Sequence, residues 1–131
     1  MQDSIFTKIV KGEIPCYKIY EDKLTLAFLD IHPAQPGHTL VIPKRQIEFL
    51  WDLPDEDYAA VQATTKKVAL RLREVTRKAC IGVKVKGLDV PHAHIHLIPF
   101  DNVDEEFYAV PDMLAEPDHP ALAKLAKTLA F

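Results

Sequence analysis

The sequence predicts an α+β domain: an antiparallel sheet of five short strands with one long helix across it and a short helix at the N-terminal end. Three observations lead there. Short β-branched and aromatic runs come in pairs with tight connections between them. Residues 54–78, "PDEDYAAVQATTKKVALRLREVTRK", place apolar side chains at steps of three and four. Residues 90–99, "VPHAHIHLIP", put His92, His94 and His96 at every second position.

The elements follow in order. "SIFTKIVKGEIP" reads as a short amphipathic helix with Ile5, Phe6, Ile9 and Val10 on its apolar side, Gly12 at its end and Pro15 beyond. "YKIYED" and "LTLAFLD" are two strands of a hairpin turning at Asp22 and Lys23. "HPAQPGH" holds two prolines and a glycine, so it is a loop, and "HTLVIP" is the third strand. The long helix carries Tyr58, Val61, Thr65, Val68, Leu72 and Val75 on one face. Asp55, Glu56 and Asp57 at its start, and Arg71, Arg73, Arg77 and Lys78 at its end, match the helix dipole and read as a solvated face. "CIGVKVKG" is the fourth strand, separated from the fifth by Gly87, Leu88 and Asp89 alone. The tail from Asp101 is acidic and then helix-like in "PALAKLAKTLA".

A length of 131 residues at 48% hydrophobic content suits one domain over 1–131 with its own core. The net charge of −3 lacks the basic excess of a nucleic-acid-binding surface. Cys16 and Cys80 form no C-x-x-C and read as free thiols. No signal-peptide pattern and no run of about 18 apolar residues is present, so a cytoplasmic protein without a membrane span is expected.

The fifth strand carries the chemistry. Alternate strand residues share a face, so the three imidazoles point one way while Ala93, Ile95 and Leu97 point to the core. On a helix they would fan apart by about 200° per two-residue step. Pro91 opens the segment and Pro99 closes it. Three readings fit. Three imidazoles can hold a catalytic zinc, although same-face neighbours roughly 6.5–7 Å apart along one strand converge poorly. A neutral imidazole can be a nucleophile, its neighbours donating to phosphate oxygens. The third reading is a solvated polar face without a role.

"HAHIHLI" resembles the His-x-His-x-His signature of the histidine triad (HIT) nucleotide hydrolases and transferases. "SIFTKIVKGEIP" is similar to that family's opening helix, and "AFLDIHPAQPGHTLVIPK" to its central loop and strand. The likeness spans residues 4–100, leaving 101–131 as a C-terminal tail. It implies a homodimer that acts on an AMP-like purine nucleotide, with no cofactor and no metal at the reacting phosphorus. It implies that His94 attacks the α-phosphate of a phosphoramidate or phosphoanhydride, forming a covalent nucleotidyl-histidine that water resolves. His96 would then contact phosphate oxygen, His92 and His38 would orient the nucleophile from behind, and Asp30 would bind the ribose hydroxyls. Ile5, Phe6, Ile9, Phe28 and Ile31 match the positions that line the base slot.

The chain also departs from the family pattern. Some members hold a structural zinc with a Cys-x-x-Cys pair and histidines matching His38 and His92. Ser4 and Thr7 stand at the cysteine positions, and hydroxyls are poor zinc ligands, so no structural zinc is expected. The hairpin before the triad is short and lacks an Asn that helps hold phosphate or ribose. Asp89 stands where many relatives carry Ser or Thr near the leaving group, and its carboxylate would suit a cationic amine. A catalytically weak nucleotide-binding module, a dinucleoside polyphosphate hydrolase and a metal-dependent hydrolase are the alternatives.

Overall fold

The computed structural model describes residues 2–131. Helix α1 (Ile5–Val10) leads into strands β1 (Lys18–Glu21), β2 (Thr25–Leu29) and β3 (Thr39–Pro43). Helix α2 (Asp55–Thr76) follows, then β4 (Cys80–Lys84), β5 (Ile95–Phe100) and helix α3 (His119–Leu129). The five strands form one antiparallel sheet in the order β1-β2-β3-β5-β4. Among the described residues, no helix is long and apolar enough to cross a membrane.

Alternation along the strands sorts side chains into two layers. Ala27, Leu29, Val41, Ile95 and Leu97 face α2 and α3 and pack with Val61, Val68, Leu72, Leu122 and Leu129. On the other face Leu26, Phe28, Leu40 and Ile42 pack against Phe6 of α1. His96 lies between Ile95 and Leu97 in sequence and therefore points to the α1 face. Its partners across the sheet are Leu40 on β3 and Lys84 on β4.

The structure corrects three sequence readings. Strand β5 begins at Ile95, so His92 and His94 precede it. They keep the alternation because Ala93, before the strand, is buried in the α2-side core and donates its N–H to the Ile47 carbonyl at 2.8 Å. The connection between β4 and β5 is residues 85–94, longer than Gly87, Leu88 and Asp89. At the start of α2, Asp57 is not solvated: it is buried and paired with Arg45.

The tail folds back on the sheet. A π-helical turn, Val103–Phe107, lays the Phe107 ring against Gly82 of β4 so closely that a Cβ at Gly82 would collide with that ring. Beyond it, α3 buries Leu122, Ala126 and Leu129, and the Phe131 amide donates to Ile19 at the end of the sheet.

Gly37 sets the loop that delivers His38 to β3. Its φ is +93°, and an added Cβ would meet Pro99 at 3.1 Å. Gly37→Ala is expected to lower stability by about 1–2 kcal/mol for the left-handed backbone alone, plus the clash. Urea unfolding beside Gly12→Ala, which has a positive φ but open space around it, separates the two contributions; equal losses would leave the clash without a cost.

Candidate active site

The hydrogen-bond pattern of four buried imidazoles follows from backbone groups that can only donate or only accept. The Pro43 carbonyl lies 2.8 Å from His92 Nε2, so that nitrogen carries the proton. His92 Nδ1 then accepts from the Ser4 hydroxyl at 2.8 Å. The His92 carbonyl accepts from His94 Nδ1 at 2.7 Å, which leaves the lone pair of His94 on Nε2. On the other side, the Ala34 amide donates to His38 Nδ1 at 3.0 Å. His38 Nε2–H therefore donates to His96 Nδ1 at 2.9 Å, and His96 keeps its proton on Nε2. That N–H is buried and has no partner among the described residues. An unmet buried donor costs about 1–3 kcal/mol, an outlay expected where a ligand supplies the acceptor.

Burial keeps three of these rings, His38, His92 and His96, neutral. Desolvation, aided by His38 and His94, pushes the His96 pKa down to about 3. Desolvation also lowers that of His38, against the opposing pull of Asp30, and that of His92, against its bond to Pro43. A neutral His96 can accept at one nitrogen and donate at the other, as the chain of bonds requires.

His94 and His96 open onto a cleft of about 280 Å³. The five residues matched to a base slot, Ile5, Phe6, Ile9, Phe28 and Ile31, all line it. Phe6 and Phe28 are buried, whereas Ile5 and Ile31 stand half-exposed. The Phe6 ring meets His94 edge-on at 5.2 Å and Phe28 at 5.5 Å. Asp30 and Asp89 border the same cleft. One Asp30 oxygen caps the turn by accepting from the His32 amide at 2.8 Å, and the other lies 3.6 Å from His38 Nε2. Asp89 is exposed and takes a left-handed φ of +73°. Leu40, Cys16 and Met113 line the cleft as well, without having been singled out in the sequence.

His38 is placed differently from the sequence reading. It abuts His96 and reaches His94 only through it. Nor does it join Ser4, Thr7 and His92 in a zinc-like quartet; Gln46 does. Gln46 Oε1 accepts from the Ser4 amide and from the Thr7 hydroxyl, while its amide nitrogen donates to Gln2. The Thr7 amide donates to Ser4 Oγ. Every buried polar atom of this group has a partner, and two hydroxyls with an amide oxygen are a poor donor set for zinc. The residues do not fit a structural zinc.

Asp30, His38 and His96 do offer ligand atoms within 4.8 Å of one another. A metal there would need lone pairs on both His38 Nε2 and His96 Nδ1. His38 would then carry its proton on Nδ1, against the Ala34 N–H, so two donors would face each other.

An antiparallel sheet with two histidines aimed into an apolar cleft and a third locked behind them defines a histidine triad protein. The HIT domain family model matches residues 11–103, and the chain belongs to that family. It is 39% identical to adenosine 5′-monophosphoramidase HNT1 of Saccharomyces cerevisiae over 95% of this chain and 79% of that protein. It is 42% identical to an uncharacterized HIT-like protein of Borreliella burgdorferi over 76% of each chain. The crystal structure of a Hit-like protein from Bartonella henselae superposes with a TM-score of 0.82 at 30% identity, covering 97% of this chain and 94% of that one.

The low pKa of His96 ties stability to pH. The unfolded imidazole protonates near 6.5, the folded one near 3. The stabilisation is therefore complete above pH 6.5 and is lost as pH falls towards 3, by up to about 1.4 kcal/mol per pH unit for this one group. His38 and His92 act with the same sign. The melting temperature is expected to drop between pH 7 and pH 5, and to drop less in His96→Gln. A melting temperature flat over that range in the wild type would contradict the neutral buried imidazole.

Proposed function

We propose that this protein is a nucleotide hydrolase that cleaves a phosphoramidate or phosphoanhydride bond at the α-phosphate of a purine nucleotide, through a nucleotidyl intermediate on His94. The observation that carries the reading is the pairing of a free Nε2 lone pair on His94 with an unpartnered Nε2–H on His96 at one apolar cleft. The name of the yeast relative, an adenosine 5′-monophosphoramidase, points to the same substrate class.

The base stacks between Ile5, Phe6, Ile9, Phe28 and Ile31, and the ribose hydroxyls reach Asp30. His94 Nε2 attacks phosphorus; the P–N(His) bond forms as the bond to the leaving group breaks, its electron pair departing with that group. An amine leaves with a proton drawn from solvent. The His96 N–H takes up a phosphoryl oxygen, a donor already in place before charge develops. His92, locked between Ser4 and Pro43, presents the carbonyl that aims His94 and supports its positive charge once phosphorylated. Water then attacks phosphorus from the vacated side and loses a proton to solvent; the P–N(His) bond breaks, its electron pair returning to His94 Nε2, and the nucleoside monophosphate departs.

The reading includes a homodimer in the cytoplasm. Strand β4 lies at the open edge of the sheet, with Val83 and Val85 exposed on and beside it, which supports pairing with a second copy.

Hydrolysis of adenosine 5′-phosphoramidate by wild type and His94→Ala, with and without chelator, tests the reaction. Turnover is expected to survive chelation and to fall about 10³-fold or more in the variant. Acid-quenched wild type should carry nucleotide label that His94→Ala lacks. Loss of turnover on chelation would instead establish metal chemistry. AMP binding without turnover in either protein would leave a binding module.

A further inference from the structure

Four cross-strand partners run in a row over the α1 face: Phe28, Leu40, His96 and Lys84. Adjacent strands lie ~4.8 Å apart, so the row passes from apolar slot to imidazole to ammonium in three such steps. Lys84 and Lys86 line a second, smaller cavity of about 70 Å³ that shares His96, Asp30 and Asp89 with the cleft but not His94. Its roof is the tail at Ala109, Pro111 and Met113. The volume equals roughly two waters, room for one tetrahedral oxyanion.

Lys84 differs from the lysines that carry a carboxylate partner. Lys11, Lys18, Lys44 and Lys78 are each paired with a carboxylate. No described carboxylate lies within 4.0 Å of Lys84 Nζ, which instead donates to the Phe107 carbonyl and stands 4.5 Å from the centre of that ring. Burial, reinforced by Lys86, lowers its pKa, in keeping with an ammonium that has no carboxylate beside it. The charged groups of the cavity are Lys84 and Lys86 against Asp30 and Asp89, with His32, His38 and His96 beside them. Asp30 is half-buried, with one oxygen accepting from the His32 amide, and Asp89 is exposed. Beside His96 the cavity therefore sets a half-buried ammonium, Lys84, against a half-buried carboxylate with one oxygen already engaged, and Lys86 adds a second cation.

Resting on the proposed reaction at His94, we propose that Lys84, assisted by Lys86, forms an oxyanion subsite on the leaving-group side of His96, and that the protein prefers nucleotides whose α-phosphate carries an anionic tetrahedral leaving group over those that release an amine. In-line displacement puts the departing atom opposite His94 Nε2, and the second cavity lies beyond His96, outside the reach of His94. An oxyanion leaves with the electron pair of the P–O bond and needs no proton; a fixed ammonium meets the charge that develops on it. Asp89, whose carboxylate alone would suit a cationic amine, shares the cavity with two lysines.

The test compares kcat/KM for adenosine 5′-phosphosulfate, diadenosine triphosphate and adenosine 5′-phosphoramidate in wild type, Lys84→Met and Lys84→Arg. The preference for the two anionic leaving groups over the amide is expected to fall about 10–100-fold in Lys84→Met, the range of one charge-assisted hydrogen bond, and to be retained in Lys84→Arg. Loss confined to the phosphosulfate or to the triphosphate identifies which oxyanion the cavity takes. Equal losses on all three substrates, or no change, would overturn the subsite. A binding arm separates this inference from the reaction itself: the dissociation constants of the phosphosulfate and the phosphoramidate are measured on His94→Ala with and without Lys84→Met. A phosphosulfate advantage that Lys84→Met removes would uphold the subsite even if the wild type turned over nothing. No such advantage would sink it even if His94 proved to be the nucleophile.

Discussion

Two backbone groups decide the chemistry of this face: the Ala34 amide and the His92 carbonyl. Neither can change its hydrogen-bonding sense, so each forces the tautomer of the imidazole it touches, and His38 in turn forces that of His96. One chain ends in a lone pair on His94, the other in an N–H on His96. Burial then disfavours protonation of His38, His92 and His96. The loop around Gly37, the N-terminus of α1 at Ser4 and the extended segment before β5 all serve to hold these two chains in register.

The sheet converts that pattern into a spatial order. Its α1 face reads across the strands as apolar, apolar, imidazole, ammonium. The opposite face, filled by Val41, Ile95, Leu97 and the apolar side of α2, keeps the row flat and in place. The tail completes it from above, with Phe107 against β4 and Met113 at the junction of the two cavities.

Much of this was legible in residue order because it rests on local periodicity. The alternation through 92–97, the three-and-four spacing of α2 and the Pro/Gly loop before His38 are short-range signals, and the α+β fold follows from them. What was not legible depends on contacts between distant residues. Gln46 meets Ser4 and Thr7 from some forty positions away, with no motif around it. His38 faces His96 because of the path of its loop, which composition cannot reveal. Lys84 belongs to the site only through the β4–β5 register, and the connection after it is ten residues long where the turn-forming glycine suggested three. Asp57 at the start of α2 reads like any helix-dipole carboxylate until Arg45 is brought beside it.

The cluster of Ser4, Thr7, Gln46 and His92 bears on where such a protein can work. Thiolates gripping a metal tie a fold to trace-element supply and expose it to oxidants. The Ser4 hydroxyl and the Pro43 carbonyl hold His92 by hydrogen bonds alone, with Thr7 and Gln46 bracing Ser4, and none of them can be oxidised to a disulfide or stripped by a competing chelator. The positioning of His94 is thereby uncoupled from the metal and redox state of its surroundings.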